Sequence, residues 1–318
     1  MVEEQLERDY SPEEMAQMRQ QVRAIITAES LSQAKTADKA GIAKATFSAW
    51  LNGTYSGDKQ RVTREVANWL RGHMEKTDAL DNIPRVPAFR PTPTANKIKQ
   101  TLQMAKMLPE IVVINGQPGM GKTSTLEQFA LTHANVWYVP CTPLCSSPTT
   151  VMAEMLRAMH LAASAYRSAD RFNLLRRQSD GREGLWILDD AQHLSIGALE
   201  MIRSLFDQIS CGVALCGSDG LYAQLETGPN ARKHAQLASR IGHKLSLKKP
   251  TKGDVNVLLD AWDVKDKAAA EFLHGIAFKP GALRKMTKVL QLGTLSANAA
   301  EEPFNKDHAV DAAATLEA

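Results

Sequence analysis

The chain has 318 residues, a length typical of about two domains. A composition of 44% hydrophobic and 23% charged residues excludes a wholly disordered protein, and a formal net charge of +3 confines any nucleic-acid binding to local basic patches. No apolar run approaches the roughly 20 residues of a membrane-spanning helix, and the acidic N-terminus lacks the apolar stretch of a secretory signal. Four cysteines are too few for a disulfide scaffold. We therefore expect a protein of the reducing cytoplasm.

The pattern of apolar residues divides the chain into four regions. Residues 1–76 are predicted to be helical, and residues 77–93 carry four prolines without apolar periodicity, which predicts an extended linker. In residues 94–249, short apolar runs alternate with helical stretches, as in a parallel sheet covered by helices. The predicted strands are 111–115, 136–139, 185–188 and 212–216. Residues 250–318 lack a strand pattern and predict a helical lid, with either a short helix or a loose tail after residue 296.

Residues 33–51 have the pattern of a helix-turn-helix, whose second helix enters the DNA major groove. Ala37 is small where two helices would cross, Gly41 suits a turn with positive φ, and Asn52-Gly53 would end the second helix. A small helical bundle that binds proteins is the alternative. The candidate DNA contacts of this region are Lys44, Thr46, Ser48, Lys59, Arg61 and Arg64.

A second basic cluster precedes the third predicted strand. A solvated helix face is one interpretation of it, and a surface that tracks the DNA backbone without reading sequence is the other. Its members are Arg167, Arg171, Arg176, Arg177 and Arg182, of which the first four are candidate DNA contacts.

Residues 116–123 read GQPGMGKT and fit the phosphate-binding pattern GxxxxGK[ST], between a predicted strand and a predicted helix. Glycines let backbone N–H groups approach phosphate oxygens, and the positive end of the following helix points at the same phosphates. Lys122 is predicted to reach the β- and γ-phosphates of ATP, and the Thr123 hydroxyl to ligate Mg²⁺. The predicted nucleotide-binding residues of the loop are Gly116, Gly119, Gly121, Lys122, Thr123 and Ser124.

A second motif, LWILDD, places two carboxylates at the end of a buried strand. Ligands bind at such strand ends in open α/β sheets, so Asp189 is predicted to hold Mg²⁺ and Asp190 to activate the attacking water. Most ATPases with this phosphate loop carry Glu at the second position, and the shorter Asp190 therefore predicts slow hydrolysis. Capping of the following helix by the two carboxylates is the alternative.

Later in the chain, three more residues are candidates for the same site. Ser218 follows the next predicted strand and either contacts the γ-phosphate or the attacking water, or caps a helix. Arg240 is either a surface residue or an arginine finger offered to the nucleotide of the next subunit. Arg284, in the helix that KPGALR opens, is either solvated or folded back onto the phosphates.

Taken in order, the helix-turn-helix, GQPGMGKT, LWILDDAQHL, a Gly-Ser strand tip, LASRI and KPGALR resemble the Mu B family of target-selection ATPases from transposing phages and their AAA+ relatives in transposons. The resemblance covers nearly the whole chain. It implies an α/β AAA+ P-loop fold with a parallel sheet and a helical lid, preceded by an all-α helix-turn-helix domain. It puts Arg240 at the family's arginine finger and Arg284 at its second sensor. Two departures, Asp190 for Glu and Ser218 for the first-sensor Asn, concern hydrolysis more than nucleotide binding.

The resemblance implies an ATPase that binds double-stranded DNA with little sequence preference when loaded with ATP. Such proteins assemble into helical filaments on the DNA, deliver it to the transposase as a target and stimulate strand transfer, and the transposase stimulates hydrolysis. The compartment would be the host cytoplasm if a phage encodes the chain. Two alternatives stay open, a helicase loader of similar architecture and a transcriptional repressor whose nucleotide site acts as a sensor.

Overall fold

The computed structural model describes residues 9–29, 31–82, 84, 86–162, 167–221 and 231–317, so the first eight residues of the acidic N-terminus lie outside the described set. The chain divides into two compact units, Met1–Pro84 and Arg85–Ala318. Within the described residues, no helix has the length and apolar character that crossing a bilayer requires.

The first unit is helical, as predicted, with helices α1 (Pro12–Ala28), α2 (Gln33–Lys39), α3 (Lys44–Leu51) and α4 (Lys59–Asn82). Helices α2 and α3, joined by a turn at Gly41 with φ of 69°, occupy the residues of the predicted helix-turn-helix. Ala37 and Phe47 are fully buried between helices. Trp50 donates from Nε1 to Thr63 Oγ1 at 2.9 Å, and this bond holds α3 against α4.

The prediction of an extended linker over residues 77–93 is wrong at both ends. Helix α4 continues through Asn82. Pro84 is the first proline after the start of this helix, and a proline disfavours helical geometry in the residue before it. At the other end, Pro93 begins helix α5 (Pro93–Met107), where a proline costs no hydrogen bond.

In the part of the second unit that the structure describes, five parallel strands form one sheet in the order β2-β3-β4-β1-β5. They are β1 (Ile111–Gly116), β2 (Val136–Pro140), β3 (Leu185–Asp189), β4 (Gly212–Gly217) and β5 (Ile241–Leu247). The sequence predicts the first four and misses β5. Its residues Gly242, His243 and Lys244 are exposed at the sheet edge, so β5 lacks the apolar run of the central strands.

Helices cover both faces of the sheet, and strands β1, β3 and β4 are buried along their whole length. Helices α5 and α6 (Lys122–Thr132) pack on one face. The other face is covered by α7 (Pro148–Ala158), α8 (Ser168–Ser179), α9 (Ile196–Phe206) and α10 (Ala231–Ala238). All four cysteines are buried and free, which agrees with the predicted absence of a disulfide scaffold.

The described part of the lid forms four helices, α11 (Lys252–Ala261), α12 (Lys267–Ala277), α13 (Ala282–Ala299) and α14 (Lys306–Thr315). Of the two alternatives after residue 296, the short helix is therefore correct. The lid has a hydrophobic core of its own, in which Leu273 and Met286 are fully buried.

One buried carboxylate connects the lid to the sheet domain. Asp254, on α11, accepts hydrogen bonds from the backbone N and the Oγ1 of Thr94, both at 2.7 Å. It also accepts from the backbone N of Thr251 at 2.7 Å and from its Oγ1 at 2.8 Å. Burial raises the pKa of Asp254, but these hydrogen bonds outweigh it and hold the pKa below its ordinary value. Because Thr94 lies in the first turn of α5, the contact fixes the lid relative to the core.

We expect Asp254→Asn to lower the free energy of unfolding of the second unit by about 2–3 kcal/mol, because an amide nitrogen would face donors that now share a charged acceptor. Urea unfolding followed by tryptophan fluorescence measures this. The difference from wild type should be complete well above pH 3.8, the ordinary value, and should shrink as the pH falls through the lowered pKa. Asp260→Asn, at an exposed position of the same helix, is the control. Equal stability of Asp254→Asn and wild type near neutral pH would contradict the role of Asp254 in holding the lid to the core.

Candidate nucleotide-binding site

The strand order brings the predicted motifs together at one edge of the sheet. Strands β1, β4 and β3 are neighbours and run in the same direction, so their carboxyl ends lie side by side. The phosphate loop follows β1, Ser218 follows β4, and Asp189 ends β3. Ligands of open α/β sheets bind at this edge.

The phosphate loop has the backbone conformation that its glycines allow. Gly119 and Gly121 have φ of 83° and 78°, in the left-handed region, and α6 begins at Lys122. Lys122 Nζ donates to the carbonyl oxygens of Gly116 at 2.6 Å and Gln117 at 3.0 Å, so the ammonium folds over the loop. Burial lowers the pKa of Lys122, against the opposing effect of nearby carboxylates. An anionic phosphate would favour its charged form.

Asp189 is buried and links three elements of the site. Thr123 Oγ1 donates to Asp189 Oδ2 at 2.8 Å, which joins the phosphate loop to the end of β3. Tyr138 Oη donates to the same oxygen at 3.1 Å, from the neighbouring strand β2. Burial raises the pKa of Tyr138, and the charge of Asp189 adds to the effect, so Tyr138 stays a donor. The sequence analysis missed Tyr138, because only the pairing of β2 with β3 brings it to this carboxylate.

Asp190 is exposed and adopts a left-handed backbone with φ of 53°. Gln192 Nε2 donates to Asp190 Oδ1 at 3.1 Å, and Gln192 Oε1 accepts from the backbone N of Ser218 at 3.1 Å. On the other side of β4, Asn115 Nδ2 donates to Asp219 Oδ1 at 3.0 Å. Gln192 and Asn115 were both missed. Asn115 had a signal in the sequence, a lone amide within an apolar strand.

A cavity of about 570 Å³ extends from the phosphate loop between the core and the lid. Arg284, Thr287 and Lys288 of α13 line it, together with Lys122, Asp190, Gln192 and Ser218. A Cβ at Gly119 would overlap the Gly281 carbonyl, so the start of α13 lies directly against the loop. Arg284 is exposed and lines the cavity, and its contact with phosphates stays a prediction.

Part of the cavity lining is apolar. It is lined by Val86, Pro87, Phe89, Leu258 and Trp262. Residues 86–90, which the sequence analysis assigned to the linker, therefore form a wall of this site. Proline-rich segments look alike in sequence whether they connect domains or cover a cavity.

These residues fit ATP and Mg²⁺. Backbone N–H groups and Lys122 suit phosphates, and the apolar part of the lining suits a base and ribose. The Thr123 hydroxyl and the Asp189 carboxylate are oxygen donors of the kind that Mg²⁺ takes from proteins when phosphates supply other ligands.

Arg240 does not line the cavity of its own chain. Its Nε donates to Asp207 Oδ1 at 2.5 Å, and its Nη1 donates to the Gln236 carbonyl at 2.8 Å. Asp207 also accepts from Arg203 Nη1 at 2.7 Å. The arginine-finger hypothesis concerns a neighbouring subunit and stays a prediction.

The candidate DNA contacts form one set in each unit. In the first unit, Lys44, Thr46 and Ser48 lie on α3, and Lys59, Arg61 and Arg64 on α4. Lys44 lies 3.7 Å from Asp38, and Arg61 pairs with Glu65 at 2.8 Å. In the second unit, Arg171, Arg176 and Arg177 lie on α8 and Arg167 directly precedes it. Arg171 Nη1 donates to the Thr149 carbonyl at 3.3 Å, which holds α8 against α7.

Comparison with known proteins places the chain in a family. An AAA domain model matches residues 105–225, and the model of the Mu B transposition protein C-terminal region matches residues 239–316. The ATP-dependent target DNA activator B of Escherichia phage Mu is 31% identical over 294 residues, 92% of this chain and 93% of the relative. The chain belongs to the Mu B transposition protein family. The resemblance that the motifs indicated, and the AAA+ fold, are thereby confirmed.

The chain is also similar to a second Mu B relative and to solved structures. The Mu-like prophage FluMu DNA transposition protein B of Haemophilus influenzae is 31% identical over 260 residues, 81% of this chain and 90% of the relative. A RuvB variant from Thermotoga maritima aligns with a TM-score of 0.47 at 19% identity, over 70% of this chain and 68% of that chain.

We expect Tyr138→Phe to raise the Mg²⁺ concentration needed for half-maximal nucleotide binding by about tenfold, because Asp189 loses a donor that orients it. Titration of Mg²⁺ against a fluorescent ATP analogue measures this. Tyr55→Phe, which removes a hydroxyl in the first unit, is the control. An unchanged magnesium dependence would mean that Thr123 and the backbone N of Asp190 orient the carboxylate without Tyr138.

Proposed function

We propose that this Mu B family protein is an ATPase that binds double-stranded DNA when loaded with ATP and Mg²⁺, selects it as a transposition target and delivers it to the transposase. The observation that carries the nucleotide part is the 2.8 Å bond between Asp189 and Thr123, which lines the cavity next to Lys122. The DNA part is supported by the relatives, which are named a target DNA activator and a DNA transposition protein.

In this proposal, the residues of the cavity have separate tasks. Gly116, Gly119, Gly121 and Ser124 with Lys122 hold the phosphates, and Thr123 with Asp189 holds Mg²⁺, which neutralises phosphate charge when bound. Asp190 orients and activates the attacking water. Ser218 contacts the terminal phosphate from the tip of β4, and Arg284 contacts the phosphates from the lid. Because Asp190 is one methylene shorter than Glu, hydrolysis is slow.

The proposed assembly assigns Arg240 to the contact between neighbouring copies. Arg240 is half-buried, pairs with Asp207 and does not line its own cavity. In the assembly it leaves this partner for a nucleotide held by a neighbouring copy, so the polymer depends on ATP. A filament on DNA multiplies weak phosphate contacts into stable binding. The contacts come from the two basic sets on α3–α4 and α8, and they neutralise phosphates without reading bases. The filament presents its DNA to the transposase, which in turn stimulates hydrolysis.

We expect Lys122→Ala to weaken nucleotide binding by about 100-fold, because the ammonium is the charged donor of the loop. Binding to duplex DNA in the presence of ATP should be lost with it. Fluorescent-nucleotide titration and DNA anisotropy measure the two effects, and Lys97→Ala, at an exposed position of α5, is the control.

Wild-type nucleotide affinity in Lys122→Ala would mean that the phosphate loop does not bind the nucleotide. A footprint on one DNA sequence that survives the substitution would instead favour the repressor alternative, and preference for single strands would favour a helicase loader.

We expect Arg240→Ala to bind nucleotide as the wild type does but to lose most of its hydrolysis and its assembly on DNA. The reason is that the charge it supplies acts on the neighbour's nucleotide. ATPase assays over a range of protein concentrations and electron microscopy with duplex DNA test this. Arg157→Ala, at an exposed arginine of α7 that pairs with Glu154, is the control. A variant that polymerises and hydrolyses normally would remove Arg240 from the interface.

A further inference from the structure

We propose that Gln192 is a positioning residue for ATP hydrolysis, which holds the Asp190 carboxylate in a fixed orientation at the cavity and ties it to the tip of β4. The inference rests on the proposed function, because it assigns to Gln192 a role in the reaction of that same site. The sequence analysis gave Gln192 no role.

Two hydrogen bonds of one amide carry the proposal. Gln192 Nε2 donates to Asp190 Oδ1, and Gln192 Oε1 accepts from the backbone N of Ser218, each at 3.1 Å. Both functional ends of the amide are therefore used, and they join the loop after β3 to the end of β4. All three residues line the same cavity.

The backbone around Gln192 is fixed independently of its side chain. Residues 191–193 form a 3₁₀ turn, in which His193 N donates to the Asp190 carbonyl at 3.1 Å. Ala191 and Leu194, on either side of Gln192, are buried against the core of the α7–α10 face. The left-handed backbone of Asp190 starts this turn. Gln192 thus projects from an anchored turn, and its amide has a defined reach.

The tip of β4 is shaped to receive the amide. A Cβ at Gly217 would overlap Gln192 Oε1, so a side chain at this position is incompatible with the observed approach. Gly217 does not have a positive φ, so its backbone conformation does not require glycine. Glycine suits this position because it leaves space for the Gln192 amide.

Asp190 needs an external restraint more than a buried base does. It is exposed, and among the described residues Gln192 is its side-chain hydrogen-bond partner. Donation to Oδ1 leaves Oδ2 with its lone pairs available for the proton of a water molecule. Fixing Oδ1 therefore selects the rotamer that directs Oδ2 toward the water. A misplaced base lowers the rate of hydrolysis and leaves the affinity for substrate unchanged.

The bridge also connects two parts of the site that contact different groups. Ser218 is proposed to contact the terminal phosphate, and its backbone N is held by the amide that holds Asp190. A shift of the β4 tip is therefore transmitted to the carboxylate through one side chain. Gln192 acts through Asp190 and does not itself take part in bond making.

The experiment uses the full chain with Mg²⁺ and duplex DNA, and compares Gln192→Leu, Gln192→Glu and Gly217→Ala. Leu removes both hydrogen bonds. Glu keeps an acceptor for Ser218 but removes the donor to Asp190. Gly217→Ala displaces the amide without changing it. His193→Ala, at an exposed position of the same turn, is the matched control. The readouts are kcat and KM for ATP and, separately, the Kd of a fluorescent ATP analogue.

We expect kcat to fall by about tenfold in all three variants, the effect of removing one hydrogen bond that orients a reacting group. The Kd should stay within about twofold of wild type, and His193→Ala should match wild type in every readout.

The contrary results are distinct from one another. Wild-type kcat in Gln192→Glu with a slow Gln192→Leu would assign Gln192 to holding β4 alone and overturn the proposal, as would wild-type kcat in both. Loss of nucleotide binding in both Gln192 variants would also overturn it, in favour of a structural role. If the wild-type protein itself binds ATP but does not hydrolyse it, the proposed function fails first, and the inference fails with it.

Discussion

The hydrogen bond from Thr123 to Asp189 is the contact on which the rest of the site depends. It joins the loop after the central strand β1 to the end of β3, two strands away in the sheet, with the tip of β4 between them. A buried carboxylate is stable at this position because three donors surround it, from Thr123, Tyr138 and the backbone of Asp190. Those donors orient it as a ligand for a cation that phosphates help to hold.

The lid completes the site through two contacts of different kinds. At the phosphate loop, the backbone of Gly281 lies so close to Gly119 that no side chain fits between them. At the start of α5, the buried carboxylate of Asp254 takes four hydrogen bonds from Thr94 and Thr251. These contacts place Arg284 over the same cavity that the sheet opens. The phosphate loop and the lid are therefore in direct contact, and both line the candidate nucleotide site.

The sequence predicted the parts of this site that lie on continuous motifs. The phosphate loop, the paired carboxylates at the end of β3 and the four predicted strands have local patterns, because backbone conformation and burial restrict the residue types there. Tyr138 and Gln192 act across strands, and only the order of the sheet brings them to Asp189 and Ser218. Strand β5 was missed because an edge strand tolerates polar residues. The role of residues 86–90 in the cavity wall was missed because this segment has no periodic pattern of apolar residues.

Binding of random-sequence duplex DNA, measured by fluorescence anisotropy with ATP, with ADP and without nucleotide, tests the central claim most directly. The account predicts tight binding only when ATP and Mg²⁺ are both present, because the proposed assembly joins neighbouring copies through the nucleotide. Equal affinity in all three states would contradict it, since the cavity would then have no part in how this protein holds DNA.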